Sequence, residues 1–364
     1  MTTVTAPPHP ESSTRSRPPA WAGYAAALWS LLYGLLGLRW ALGGSGFPWG
    51  ASDPDPDRAL SILSSARPQP GGWWIAALGL AFTLLALVLA RAPGRGPLRM
   101  VPPILAWPAA VALILVIPDS RLMMGVAYTP LLLISPLFGW GLGGVGFLDA
   151  WPWEVVNQLL CVLGGALLAV ATLAYLRRGR QACAGCGRTG GDGGWTAPAA
   201  AARWGRRAVY VAIAVPLVYC ATRWAWALGI PLGVSEEFLA EGSRDAPGIW
   251  LAGAYLATFG ALGGILTLGL TQRWGEIFPR WIPGLRGRRV PPLLAIIPAT
   301  FVSIIVTVAG LTYIRWTVSG RFDLSEAGAW LPETFWPVWG AALAAAALAY
   351  HLRRRGRCRR CGRS

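Results

Sequence analysis

The sequence predicts an all-α integral membrane protein, and three observations carry that prediction. Only 13% of the 364 residues are charged and 54% are hydrophobic, for a mean hydropathy of +0.47, whereas soluble domains typically hold about 25% charged residues. Eight apolar runs approach the roughly 20 residues that a helix needs to cross a bilayer. The chain has 32 basic and 16 acidic residues, and they favour opposite ends of those runs.

Residues 1–20, MTTVTAPPHPESSTRSRPPA, are polar and proline-rich and predict a disordered cytoplasmic tail. The expected spans follow at 21–42, 73–90, 102–117, 155–176, 208–230, 249–270, 291–314 and 335–352. Backbone groups in lipid must be paired within their own segment, so all eight are expected to be helices. With the N-terminus inside, 24 of the 32 arginines fall on the inner side and 13 of the 16 acids fall outside. That bias orients both termini to the cytoplasm of a bacterial cell membrane. The basic set is all arginine. With abundant Ala, Gly, Pro and Trp, it suggests a high-GC bacterial genome. The charge is spread among short flanks rather than gathered on one polar domain, which argues against nucleic acid as a partner.

A ninth apolar stretch, 122–148, is long enough to span. Spanning would flip every later segment and put the arginine-rich 177–207 region outside. It is therefore read as an insert packed on the outer face or re-entrant, broken by Pro130, Pro136 and the glycines from Gly139 to Gly146.

Internal repetition organises the rest. Arg39-Trp40 recurs as Arg223-Trp224. VPPILAWPA from Val101 recurs as VPPLLAIIPA from Val290. AYLRRGRQACAGCGR from Ala174 recurs as AYHLRRRGRCRRCGR from Ala349, with the tyrosine and both cysteines at a constant offset of 175. The expected architecture is a 4+4 parallel internal repeat. The first four-helix half covers 21–186, a linker 187–204, and the second half 205–364. Because four is even, the halves should be related by an axis along the membrane normal.

Candidate chemistry is sparse. Arg39 and Arg223 sit in apolar segments at equivalent places, as interfacial snorkelling side chains or as a pair holding a phosphate or carboxylate of a lipid or solute. No Asp or Glu lies mid-span, which disfavours proton- or sodium-coupled transport. The segment 272–289, QRWGEIFPRWIPGLRGRR, interleaves Trp with Arg and is expected at the inner interface, on anionic lipid headgroups or a cytoplasmic protein partner. His9 and His351 form no hydrolase constellation, and no phosphate loop is present, so no enzyme is predicted. Cys161 and Cys220 lie within helices as small apolar residues.

The strongest chemical signal is the paired C-x-x-C-G-R at Cys183/Cys186 and Cys358/Cys361. Glycine after the second cysteine permits a tight turn, and four thiolates form the closed tetrahedral set of a structural zinc. The pairs lie 172 residues apart from Cys186 to Cys358, so only tertiary structure could join them, with sulfurs within about 4 Å of one another. Redox thiols and inert free thiols are the competing readings. Redox motifs generally open a helix, whereas these follow helix ends.

RWGEIFPRW, the two VPP helix starts and the two CGR endings resemble uncharacterised multi-pass membrane proteins of high-GC Gram-positive bacteria. That resemblance implies location and topology only. The duplicated bundle and paired arginines suggest a passive transporter or lipid-handling protein. The basic, cysteine-bearing inner face suggests a membrane scaffold or sensor, or a thiol redox protein. A polar cavity between the halves would favour transport, and a sealed apolar centre would favour a scaffold.

Overall fold

The computed structural model describes residues 20–55, 59, 61–92, 96–138, 146–180, 182–183, 186–188, 194–358 and 360–362. Residues 1–19 of the expected 1–20 tail, the expected outer acid Asp57, Arg95, part of the 122–148 insert (139–145), part of the linker (189–193, with Asp192), Arg359 and Arg363 lie outside them.

The described chain is helical, with one isolated antiparallel bridge between Ile277 and Arg289. The helices are α1 (Trp21–Ala41), α2 (Pro68–Arg91), α3 (Val101–Val111), α4 (Ser120–Phe138), α5 (Trp153–Gly179), α6 (Pro198–Ala227), α7 (Glu236–Asp245), α8 (Ile249–Leu268), α9 (Pro292–Val318), α10 (Leu331–Thr334) and α11 (Trp336–Arg354). Six of these (α1, α2, α5, α6, α8 and α9) are long and apolar enough to cross a membrane. A seventh span results if the bent pair 101–116 and 120–135 counts as one. The eighth expected span is helical as α11 but falls outside the candidate set; its 19 residues are alanine-rich and end in Arg353-Arg354.

The break beside the third expected span has a local cause. After α3 the helix widens to a π turn over Ala112–Val116. Pro118 interrupts the backbone bonding, and the chain restarts where Asp119 Oδ1 accepts the Arg121 N–H at 3.0 Å. The two arms meet at 55°. The expected break at the two prolines is not observed, because α4 runs unbroken through Pro130 and Pro136, while 139–145 of the expected glycine break lie outside the described residues. An apolar helix loses only one backbone bond per proline, and neighbouring groups compensate for it.

Packing divides the helices into two groups. Ala22 and Ala26 of α1, Leu89 of α2, Ala106 and Ala110 of α3, and Leu168 and Tyr175 of α5 share one core cluster. Val209 and Ala212 of α6, Ala295 and Ala299 of α9, and Leu343, Ala346 and Tyr350 of α11 share another, with α8 laid against α6. Small residues let backbones touch, as expected where lipid offers no hydrophobic drive between helices. A Cβ built on Gly79 would lie 2.5 Å from the Gly34 Cα, so any side chain there would separate α1 from α2. Between the groups runs an apolar seam in which Leu122 of α4 and Val155 and Val162 of α5 meet Ile305 and Val306 of α9.

The two groups repeat their polar contacts. Tyr175 donates to the Arg99 carbonyl at 3.0 Å, and Tyr350 donates to the Gly275 carbonyl at 2.6 Å. Arg178 donates to the Leu89 carbonyl and Arg353 to the Leu270 carbonyl. Each guanidinium also lies 5.9 Å from the ring of the tyrosine three residues before it. In both groups the last long helix is thereby tied to the end of the second helix and to the segment leading into the third.

Candidate metal centre

Both cysteine pairs begin four residues beyond a helix end, after Gly179 of α5 and Arg354 of α11. Each then makes the same turn. The Gly187 N–H donates to the Cys183 carbonyl and the Gly362 N–H to the Cys358 carbonyl, both at 2.8 Å. These glycines have φ of 71° and 69°, left-handed values that a Cβ would penalise. The turn aims backbone N–H groups at sulfur: Arg188 N–H at Cys186, and those of Cys361 and Arg360 at Cys358.

The two turns face each other. Cys183 Sγ lies 3.9 Å from Cys358 Sγ, and Cys186 Sγ lies 3.6 Å from Cys361 Sγ. All four sulfurs lie within 4.8 Å of one another. Zinc–sulfur bonds of about 2.3 Å in a tetrahedron give sulfur–sulfur edges of about 3.8 Å. The closer contacts match that edge, and the widest exceeds both it and the expected 4 Å. The thiols are free rather than disulfide-bonded, since a disulfide requires sulfurs about 2.05 Å apart.

Arginines lock the facing turns. Buried Arg188 donates to the carbonyls of Arg355 and Gly356, each at 3.2 Å, and Arg355 donates back to the Cys186 carbonyl at 3.3 Å. Burial and the neighbouring thiols push Cys186 up to about 12, whereas the N–H groups of Cys361 and Arg360 pull Cys358 down to about 6. Four adjacent thiolates repel one another, and a divalent cation at their centre would remove that repulsion. With four protein ligands and no open position, the set suits a structural ion rather than a catalytic one.

The two arginines singled out in the sequence differ in setting. Arg39 is exposed near the end of α1. Arg223 stacks 4.5 Å from the Tyr219 ring centre and 4.2 Å from that of Trp226, donates to the carbonyls of Gly328 and Ala329, and pairs with buried Glu333. An external anion at Arg223 would have to displace that internal carboxylate. Cys161 and Cys220 are buried, bonded respectively to the Tyr33 hydroxyl and the Ala257 carbonyl.

A second charged centre escaped the sequence reading. Arg121 is 4% exposed; it pairs with Asp53 at 2.8 Å, Asp119 at 2.9 Å and Asp55 at 3.2 Å. Asp119 and Arg121 interrupt two apolar runs, a recognisable signal for a buried ion pair. Asp53, 68 residues away, carries no such mark. Glu333 escaped for a similar reason, since it lies just outside an expected span and 110 residues from Arg223.

Comparison of the chain with protein-family models, curated proteins and solved structures gives no match.

Proposed function

We propose that this protein is a multi-pass membrane scaffold built from two repeated four-helix halves, whose cytoplasmic ends are clamped together by one structural zinc held by Cys183, Cys186, Cys358 and Cys361. The convergence of two identical C-x-x-C-G-R turns across 172 residues carries the reading. The equivalent bonds of Tyr175 and Tyr350, and of Arg178 and Arg353, support duplication. The apolar seam of Leu122, Val155, Val162, Ile305 and Val306 favours a scaffold over a passive transporter or lipid-handling protein, because these side chains pack the two helix groups against each other. A reducing cytoplasm favours metal over disulfide at these thiols.

Elemental analysis of protein purified without added metal should find one zinc per chain, and none in the Cys358→Ser/Cys361→Ser variant. A metal-free wild type, or equal metal in both proteins, would refute the clamp. Orientation is tested separately. Reporters fused after Arg99, Arg207, Arg289 and Ser364 should read cytoplasmic, and those near Asp55, Asp149, Glu241 and Glu326 external, as the arginine bias requires. An external reading at Arg207 would mean that the apolar stretch 122–148 adds a crossing, and the parallel repeat would fall.

A further inference from the structure

Between the end of α8 and the start of α9 the chain folds back as a short hairpin. Ile277 bridges Arg289. The Phe278 N–H donates to the Arg288 carbonyl at 2.9 Å, the Gly287 N–H to the Phe278 carbonyl at 3.1 Å, and the Val290 N–H to the Glu276 carbonyl at 2.9 Å. Its root is fastened to α11. The Glu276 carboxylate lies 3.1 Å from Arg353 and 3.8 Å from Arg354, and Arg354 also donates to the carbonyls of Glu276 and Val290 at 3.2 and 2.8 Å. The hairpin is therefore a braced projection whose one acid is turned toward its own base.

Its outward surface has the opposite character. Arg280, Arg286, Arg288 and Arg289 are exposed, and none takes part in an ion pair among the described residues. Between them Trp281 is 79% exposed and Leu285 is 39% exposed. An indole this open is costly in water. α8 and α9 are both candidate spans, so the hairpin emerges where a bilayer ends, and there an indole sits favourably between headgroups and acyl chains.

We propose that the 276–290 hairpin is a membrane-surface finger that docks on the phosphates of anionic lipids, with Trp281 seated at the headgroup boundary and the four arginines contacting the phosphates. Guanidinium groups match phosphate oxygens in a bidentate manner and are attracted to an anionic leaflet. Continuity with two spans and the uncompensated charge select lipid as the occupant. Because Arg353 and Arg354 immediately precede the Cys358 turn, the finger is held by the same helix end that carries half of the metal centre.

The test is hydrogen exchange of the full-length protein in nanodiscs of phosphatidylcholine and in nanodiscs that also contain phosphatidylglycerol. Amides of 280–287 should exchange several-fold more slowly in the anionic discs, and high salt should abolish the difference. Replacing Arg280, Arg286, Arg288 and Arg289 together by Gln should remove the lipid dependence while the stem amides of Phe278 and Val290 stay protected. Trp281→Ala deletes only an exposed side chain and should weaken the protection in anionic discs several-fold. Exchange that ignores lipid charge in the wild type would overturn the proposal and assign the arginine surface to an acidic protein partner. An undiminished response in the four-Gln protein would also overturn it. Zinc content, read in the same samples, reports on the clamp independently.

Discussion

Cys358→Ser/Cys361→Ser should uncouple the two ends of the chain and produce the largest loss of stability among conservative substitutions around the two cysteine turns. Metal that binds only the folded form stabilises it by about 4 kcal/mol when free metal is 1,000 times the dissociation constant, and the variant forfeits that contribution. The apolar seam remains, so each helix group should persist while the α5 and α11 ends separate. Thermal unfolding of the detergent-solubilised protein should shift downward, and limited proteolysis in the 187–204 linker should accelerate. A strong chelator should reproduce both effects in the wild type and neither in the variant. Acidification should weaken the clamp, because protons compete with metal for thiolates. Cys161→Ala and Cys220→Ala should leave metal content unchanged, since both thiols are buried elsewhere in bonded positions. Chelator insensitivity of a zinc-loaded wild type would show that the ion contributes nothing to joining the halves.

Arg121→Ala should destabilise the first helix group by about 3–5 kcal/mol, the usual cost of removing one partner from a buried ion pair. The substitution takes the guanidinium from between Asp53 and Asp119, which are 1% and 0% exposed at their side chains. Asp55→Ala provides the contrast. Its carboxylate is 28% exposed and sits at 3.2 Å, so solvent screening should limit its effect to about 1 kcal/mol or less. Chemical unfolding of the two variants side by side checks the ordering. Equal costs would mean that Arg121 acts as a surface residue despite its burial. Asp119 also receives the Arg121 N–H where α4 begins, so Arg121→Ala should loosen the bend after α3, visible as faster hydrogen exchange across 117–122.

Local chemistry made the helical class legible. Runs such as 73–90 and 249–270 must pair their own backbone groups in lipid, so α2 and α8 follow from composition alone. The cysteine set was legible for another reason. A duplicated motif keeps its chemistry in register, and the constant offset of 175 paired Cys183 with Cys358 and Cys186 with Cys361 before any distance was known. The failure of the 272–289 segment to form one helix was legible from its Pro and Gly content. Its folding back into a hairpin was not, because Glu276 meets Arg353 and Arg354 only through α11.

Tertiary structure alone decided which charges are internal. Asp53 and Glu333 resemble ordinary polar loop residues along the chain, yet each is buried against an arginine 68 or 110 positions away. Burial of a carboxylate depends on a counter-charge arriving from another element, and no local pattern encodes that arrival. The bend after α3, by contrast, has a local cause in the π turn, Pro118 and the Asp119 side chain. Periodicity and composition determined what each segment could be in lipid. The packing of α4 and α5 against α9, and the facing of two distant cysteine turns, determined which of those segments meet, because contacts between them exist only once the helices have assembled.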